Sequence, residues 1–345
     1  MSEGGAHEQA GEAPEPGAGF VACIEGGALE TQALLLFESI RLFGGRFAGC
    51  AAYAFSPRRG HAVSRAARAR LEELGVRHVE DELNTRCPEY GSANRVAAAA
   101  YAEENFGHEL LVVLDSDTLF LREPVELLLP PGVDAAARPV DLKGMCTDGP
   151  DDPFDGYWRA LCRSSGVEYE RVPWGESFVD RRRIKACYNA GLVVARAGIL
   201  GRWADFFFKS IGEGLSPHRE GRGFRAGAGW VGPAAARFWG SNQAALSLAV
   251  WGAARDFRLL PPSYNYPLHL HERVEASERR VALAGLVHVH YHWLLEEDPA
   301  ANPLLREPLA LAPEQAEWLR SAAARVRAAS SPRPWSRLLR RLRRR

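Results

Sequence analysis

Leu110-Leu-Val-Val-Leu114 is the most apolar run in the chain, and it ends on Asp115-Ser116-Asp117. Two carboxylates two residues apart at the carboxyl end of a buried strand leave on the same side, about 6–7 Å apart at the backbone, and repel each other. A divalent cation removes that repulsion and in turn neutralises a diphosphate that bridges to it. The competing reading is a turn in which the aspartates cap the following segment. Five of the ten histidines fall between His269 and His292, and His288, His290 and His292 alternate with Val289 and Tyr291. On a straight strand neighbours in that series stand about 6–7 Å apart, too far to chelate one ion, so one metal ligand is expected and not three. Asn189 stands beside Ala190-Gly191, where an amide can donate to ligand hydroxyls and the glycine lets backbone approach closely. A strand-end turn explains Asn189 equally well.

Such residues need a sheet to bring them together. Phe20 to Ile24 is a short apolar strand stopped by Glu25-Gly26-Gly27, and Leu29 to Phe43 repeats apolar residues at helical spacing up to Gly44-Gly45. A strand over Gly49 to Phe55, a helix over Val63 to Leu74, a strand at Val76 to Val79 and a helix over Ser92 to Glu104 lead into the Asp115 strand. Repeated strand-then-helix units predict an α/β fold, a mostly parallel sheet covered on both faces, with ligands at the carboxyl ends of the strands. Glu25 and Gly26 after the first strand and Arg58 after the second are placed to meet a base or ribose, although solvated charges fit those positions as well.

The second half is less regular. Residues 141–183 are rich in Asp, Gly, Pro and Trp, and residues 212–232 form a glycine-rich loop; an acceptor is expected to contact both. Between and beyond them lie a strand at Tyr188 to Ala195, a helix at Ile199 to Ile211, a helix at Asn242 to Trp251, a strand near Leu286 to Tyr291 and a helix at Pro313 to Ala328.

Asp115-Ser116-Asp117, then Tyr188-Asn189-Ala190-Gly191-Leu192-Val193, then Asn242-Gln243, then His290-Tyr291-His292 is an ordered series. It resembles the DxD motif, FNxG segment, DQ-type helix start and C-terminal metal histidine of glycosyltransferases with the GT-A fold, nearest to glycosyltransferase family eight and its bacterial relatives. The resemblance spans most of residues 20–295. It implies a single Rossmann-like GT-A domain over residues 20–312, with a nucleotide-binding half (20–125) and a sugar and acceptor half (126–312), followed by a C-terminal helix (313–329). It implies transfer of a sugar from a nucleotide-diphosphate sugar, a UDP-sugar foremost, to a saccharide, lipid-linked or protein acceptor. Mn²⁺ or Mg²⁺ would be held by Asp115, Asp117 and His290, Asp117 directly and Asp115 partly through the ribose. An imidazole in the set suits Mn²⁺ better than Mg²⁺. Glu25, Gly26, Arg58, Arg95 and Ser116 would bind the nucleotide and diphosphate, Asn189 the donor sugar, with Asn242 and Gln243 as catalytic amides. Many relatives have an acid before that glutamine. Asparagine cannot act as a general base, so the substitution favours retention of configuration.

The 345 residues are 46% hydrophobic, enough for a large core. Basic and acidic residues tie at 43 each, but seven arginines and no acid lie in residues 333–345, leaving a mildly acidic body and disfavouring a nucleic-acid-binding one. Residues 1–19 hold neither a cationic-apolar leader nor enough apolar residues to fold, which predicts a disordered segment on a cytoplasmic protein. In the Arg-rich tail (330–345), Trp335, Leu338, Leu339 and Leu342 recur at helical spacing, the pattern of a helix lying on an anionic membrane, here the inner membrane face; a solvated tail is the alternative. Two other functions compete: a non-catalytic sugar- or nucleotide-binding protein, and a phosphatase of the haloacid dehalogenase type. The latter places Thr two residues after its second Asp, whereas Thr118 is adjacent here.

Overall fold

The computed structural model describes residues 17–219, 222–226, 229–296, 302–306 and 311–330. Its first part alternates strand and helix: β1 (Ala18–Cys23), α1 (Ala28–Phe43), β2 (Ala51–Phe55), α2 (Arg65–Glu73), β3 (Arg77–Val79), α3 (Gly91–Asn105) and β4 (Leu110–Leu114). There follow β5 (Thr118–Phe120), β6 (Ala135–Pro139), α4 (Asp155–Ser165), β7 (Trp174–Glu176), β8 (Arg183–Lys185), β9 (Tyr188–Ala195) and α5 (Leu200–Gly212). The last part holds β10 (Phe224–Ala226), β11 (Gly229–Val231), α6 (Pro233–Ala236), α7 (Ser241–Ala253), β12 (Phe257–Leu259), β13 (Tyr266–Pro267), α8 (Ala276–Ala284), β14 (His288–His290), α9 (Pro303–Arg306) and α10 (Pro313–Ser330).

Seven strands form the main sheet in the order β12-β6-β9-β4-β1-β2-β3, and β9 alone runs against the others. The fold class is therefore the mostly parallel α/β sheet that the strand-then-helix spacing predicts. Alternate residues of each strand face opposite helix layers. Val21, Val113 and Val193 pack toward α3, α5 and α7, while Phe20, Val112 and Leu192 pack toward α1 and α2. A smaller sheet, β13-β14-β5, carries a third apolar cluster shared with α8 and α10.

The antiparallel sense of β9 matters for the site. Its first residues, Tyr188 and Asn189, lie at the carboxyl ends of its neighbours: Asn189 sits opposite Arg138 of β6, and the Asp115 amide donates to the Gly191 carbonyl at 3.0 Å.

Several expectations need correction. The first strand starts at Ala18, so Ala18 and Gly19 belong to the sheet and not to a disordered leader; Gly19 is required because a Cβ there would lie 2.5 Å from the His108 ring. Residues 141–183 contain α4, whose Trp158, Leu161 and Cys162 form a buried stripe at helical spacing and whose end is capped by left-handed Gly166. The stretch 212–232 contains the antiparallel hairpin β10–β11. The C-terminal helix continues to Ser330. Among the described residues no helix is long and apolar enough to cross a membrane. Residues 1–16 and the tail pattern of Trp335, Leu338, Leu339 and Leu342 lie outside the described residues.

Candidate active site

The acidic and histidine motifs meet through strand register. β14 pairs with β5 so that His290 stands opposite Thr118, and the Tyr291 amide donates to the Asp117 carbonyl at 3.1 Å. His290 Nε2 then lies 3.2 Å from Asp117 Oδ1 and 3.8 Å from Asp115 Oδ2. A second histidine also approaches Asp117. The strand ends at His290, and His292 takes a left-handed backbone (φ +52°) that folds its ring onto His290, with centroids 3.9 Å apart and planes 15° apart. His292 Nδ1 comes within 3.6 Å of Asp117 Oδ2. Positive φ is uncommon in a non-glycine residue and needs surrounding structure to hold it. His288 is elsewhere, accepting from the Asn265 amide at 3.2 Å with its ring against Phe120.

Asp117, His290 and His292 each offer a ligand atom within 4.8 Å of the others, close enough that small side-chain adjustments would let one ion take all three. Burial holds the His292 imidazole well below its ordinary range and therefore neutral. Burial works against ionised Asp117, but the facing His290 outweighs it and holds its carboxyl well below the usual range. A neutral His292 nitrogen and an anionic Asp117 oxygen are forms in which a metal can be bound. Asp115, about one-third exposed, is ion-paired with buried Arg95, whose Nε has no partner among the described residues.

At the neighbouring strand ends, Glu25 after β1 and Arg58 after β2 are bound to each other. Glu25 is 2% exposed and accepts from Arg58 Nε and Nη2 at 2.5 and 2.6 Å and from Asn94 at 2.8 Å. Ser116 donates to the Cys23 carbonyl at 2.6 Å, which ties the ends of β4 and β1. Gly26 does not face the cavity. A Cβ on it would lie 2.5 Å from the Ala62 carbonyl, so this glycine accommodates the neighbouring loop and not a ligand.

Asn189 is also engaged. It donates to Asp141 at 2.9 Å and accepts from the Gly191 amide at 2.9 Å and from Asn265 at 3.1 Å. Asp141 accepts in addition from Arg138, which is buried beneath it. Gly191 is needed for the histidine: a Cβ there would stand 2.8 Å from His290 Nδ1 and 2.9 Å from Asn265 Oδ1. At the start of α7, Asn242 accepts from the Tyr90 hydroxyl at 3.1 Å, whereas the Gln243 side chain has no hydrogen-bond partner among the described residues.

Glu25, Arg58, Arg95, Asp115, Ser116, Asp117, Asn189, Asn242, Gln243 and His290 all line one cavity of about 460 Å³. Four further lining residues, His292, Asp141, Trp230 and Trp239, were not among the site residues the sequence predicted. His292 was kept only as an alternative to His290, because on a straight strand the two stand too far apart to share an ion. Asp141 follows β6, whose Ala135-Ala-Ala-Arg-Pro139 lacks the β-branched and aromatic residues that mark a strand. Trp230 and Trp239, which also line the cavity, carried no spacing signal at all.

Residues 20–211 match a family model described as Rhodobacterales glycosyltransferase domain. No curated protein matches the chain. Among solved structures, the chain is similar to the apo WbbM bifunctional glycosyltransferase, with 13% identity and a TM-score of 0.45 over 93% of this chain and 53% of that one. It thus spans about half the length of WbbM. It is also similar to the galactosyltransferase LgtC in complex with donor and acceptor sugar analogs, with 13% identity and a TM-score of 0.46 over 92% of this chain and 99% of that one. Mouse xyloside xylosyltransferase 1 aligns at 10% identity with a TM-score of 0.41, over 79% and 97% of the two chains.

Proposed function

Because the chain belongs to the Rhodobacterales glycosyltransferase domain family and is thus a glycosyltransferase, we propose that it moves a sugar from a nucleotide-diphosphate sugar, with UDP as the nucleotide, to an acceptor in a metal-dependent reaction that retains anomeric configuration. The observation that carries this reading is the convergence of Asp115, Asp117, His290 and His292 on one side of a single cavity. These residues would hold Mn²⁺ or Mg²⁺, and the second imidazole strengthens the preference for Mn²⁺. When bound, the ion supplies positive charge to the donor's diphosphate.

The chain's own groups do the rest. Arg95 balances Asp115, so the acidic cluster carries less net charge toward a diphosphate. The first residues of α3 and α7 line the cavity, and backbone N–H groups at helix N-termini favour anionic ligands. The Glu25–Arg58 pair with Asn94 forms one fixed polar edge for the base or ribose, in place of two independent contacts. Asn189 has one amide hydrogen left for a donor hydroxyl and holds Asp141 in place. Gln243, with its amide uncommitted, steadies the sugar.

Retention is supported by the amide at position 242, which cannot act as a general base. Asn242 is an amide already bonded to Tyr90, and Asp141 is occupied by Arg138 and Asn189. The test is thermal shift with UDP, GDP and ADP with and without Mn²⁺, followed by NMR of the product formed from the matching sugar nucleotide. A Mn²⁺-dependent rise for UDP and a retained anomer are expected. No rise with any nucleotide diphosphate overturns the donor reading, and an inverted product overturns retention.

A further inference from the structure

The segment between α5 and α7 bears the hairpin β10–β11, and its Trp230 is 72% exposed although its indole lines the same cavity as Asp117 and His290. A tryptophan buries a large apolar area when it packs, and one left in solvent at the mouth of a polar cavity forgoes that stabilisation. The ring is nevertheless held in place. A Cβ on Gly223 would lie 2.5 Å from Trp230 Cζ2, so the indole lies directly against a glycine backbone that supports it. Trp239, 39% exposed and lining the cavity too, packs edge-on against Phe224 of the hairpin, with centroids 4.8 Å apart. Neither indole N–H has an acceptor among the described residues. This side of the cavity is chemically unlike the other. None of the lining residues between 218 and 240 is a carboxylate or a guanidinium, whereas Glu25, Arg58, Arg95, Asp115 and Asp117 line the cavity from the ends of β1, β2 and β4 and from α3.

We propose that Trp230, backed by Trp239, is the platform on which an uncharged pyranose ring of the acceptor stacks, so that the acceptor is a saccharide or a glycoconjugate presenting one. The indole face is electron-rich and attracts the polarised C–H hydrogens of a sugar face, while the free N–H groups donate to its hydroxyls. The inference rests on the donor occupying the charged side, and the cavity's continuity places a ring on Trp230 in the same chamber as the donor.

The test applies the full-length protein and its Trp230→Ala and Trp230→Phe variants to a glycan array in the presence of UDP and Mn²⁺, with UDP–Mn²⁺ thermal shift as a separate readout. The wild type should retain a subset of neutral saccharides. Trp230→Ala should weaken that binding about tenfold or more, and Trp230→Phe should keep it within about threefold. All three proteins should give the same UDP shift. Equal retention by Trp230→Ala, no saccharide retained by the wild type, or a UDP shift lost only in Trp230→Ala overturns the platform. A UDP shift absent from all three proteins counts against the donor reading alone, because saccharide retention reports on Trp230 independently.

Discussion

The two sides of the cavity are built on different principles. The metal side is assembled from strand ends, with Arg95 of α3 laid against them: Asp117, His290 and Arg95 are each less than 10% exposed, and the approach of His290 to Asp117 follows from the register of β5 with β14. The hairpin side is assembled from an excursion between two helices, and its principal side chain, Trp230, is mostly in solvent. Buried, register-bound groups suit chemistry that tolerates little displacement, while an exposed aromatic suits a ligand that arrives and leaves.

If that contrast holds, substitutions on the metal side should act on turnover and metal binding. Asp117→Asn removes the carboxylate both histidines face, and donor turnover, followed as UDP release, should fall about 10²–10³-fold with loss of the UDP–Mn²⁺ thermal shift. Near-normal turnover would break the assignment of that side. His292→Ala should weaken Mn²⁺ binding about 10–100-fold by calorimetric titration; unchanged affinity would return the site to a single histidine.

Two glycines sharpen the same contrast. Gly191→Ala forces a methyl against His290 and Asn265, both buried, and should destabilise the protein by about 1–3 kcal/mol in denaturant while weakening Mn²⁺ binding. Gly232→Ala, beside the hairpin, meets nothing within 4 Å and should change stability by less than about 0.5 kcal/mol.

A further effect should come from outside the cavity altogether. Glu38 of α1 accepts from Arg325 and Trp318 of α10 at 2.6–2.9 Å; burial opposes its ionisation, but these hydrogen bonds bring its pKa to about 2. Its folded value lies below the unfolded one, so this contribution is present above about pH 4.5 and fades as pH falls toward 2. With Arg325 and Arg70 each 41% exposed and screened, it should amount to about 1–2 kcal/mol. Glu38→Gln should flatten the acid limb of the stability curve and leave UDP–Mn²⁺ binding unchanged; an altered UDP shift would couple α10 to the site.

How much of the site was legible varied with how local its cause is. Asp115 and Asp117 announced themselves because the apolar run before them can only be a buried strand, and the side of a strand is fixed by counting. His292 was hidden as a second ligand because a single positive φ cancels that counting. Gly26 and Gly191 both looked like places for a ligand to approach, but a glycine records only that something comes close. For Gly26 it is the Ala62 carbonyl and for Gly191 the His290 ring. Ser116 and Asn189 were found in the cavity as expected, yet part of their hydrogen bonding goes to the protein itself.

Sequence by itself determined the α/β class, the order of the strands and helices up to β4, and the acidic pair at the carboxyl end of that strand, because apolar periodicity and chain breakers act over a few residues. Only the tertiary structure decided which histidines face Asp117, that Glu25 and Arg58 neutralise each other, and that Trp230 shares a chamber with them. Those outcomes depend on pairings between segments as far apart in the chain as Asp117 and His290, set by sheet register and by turns whose geometry residue type alone does not encode.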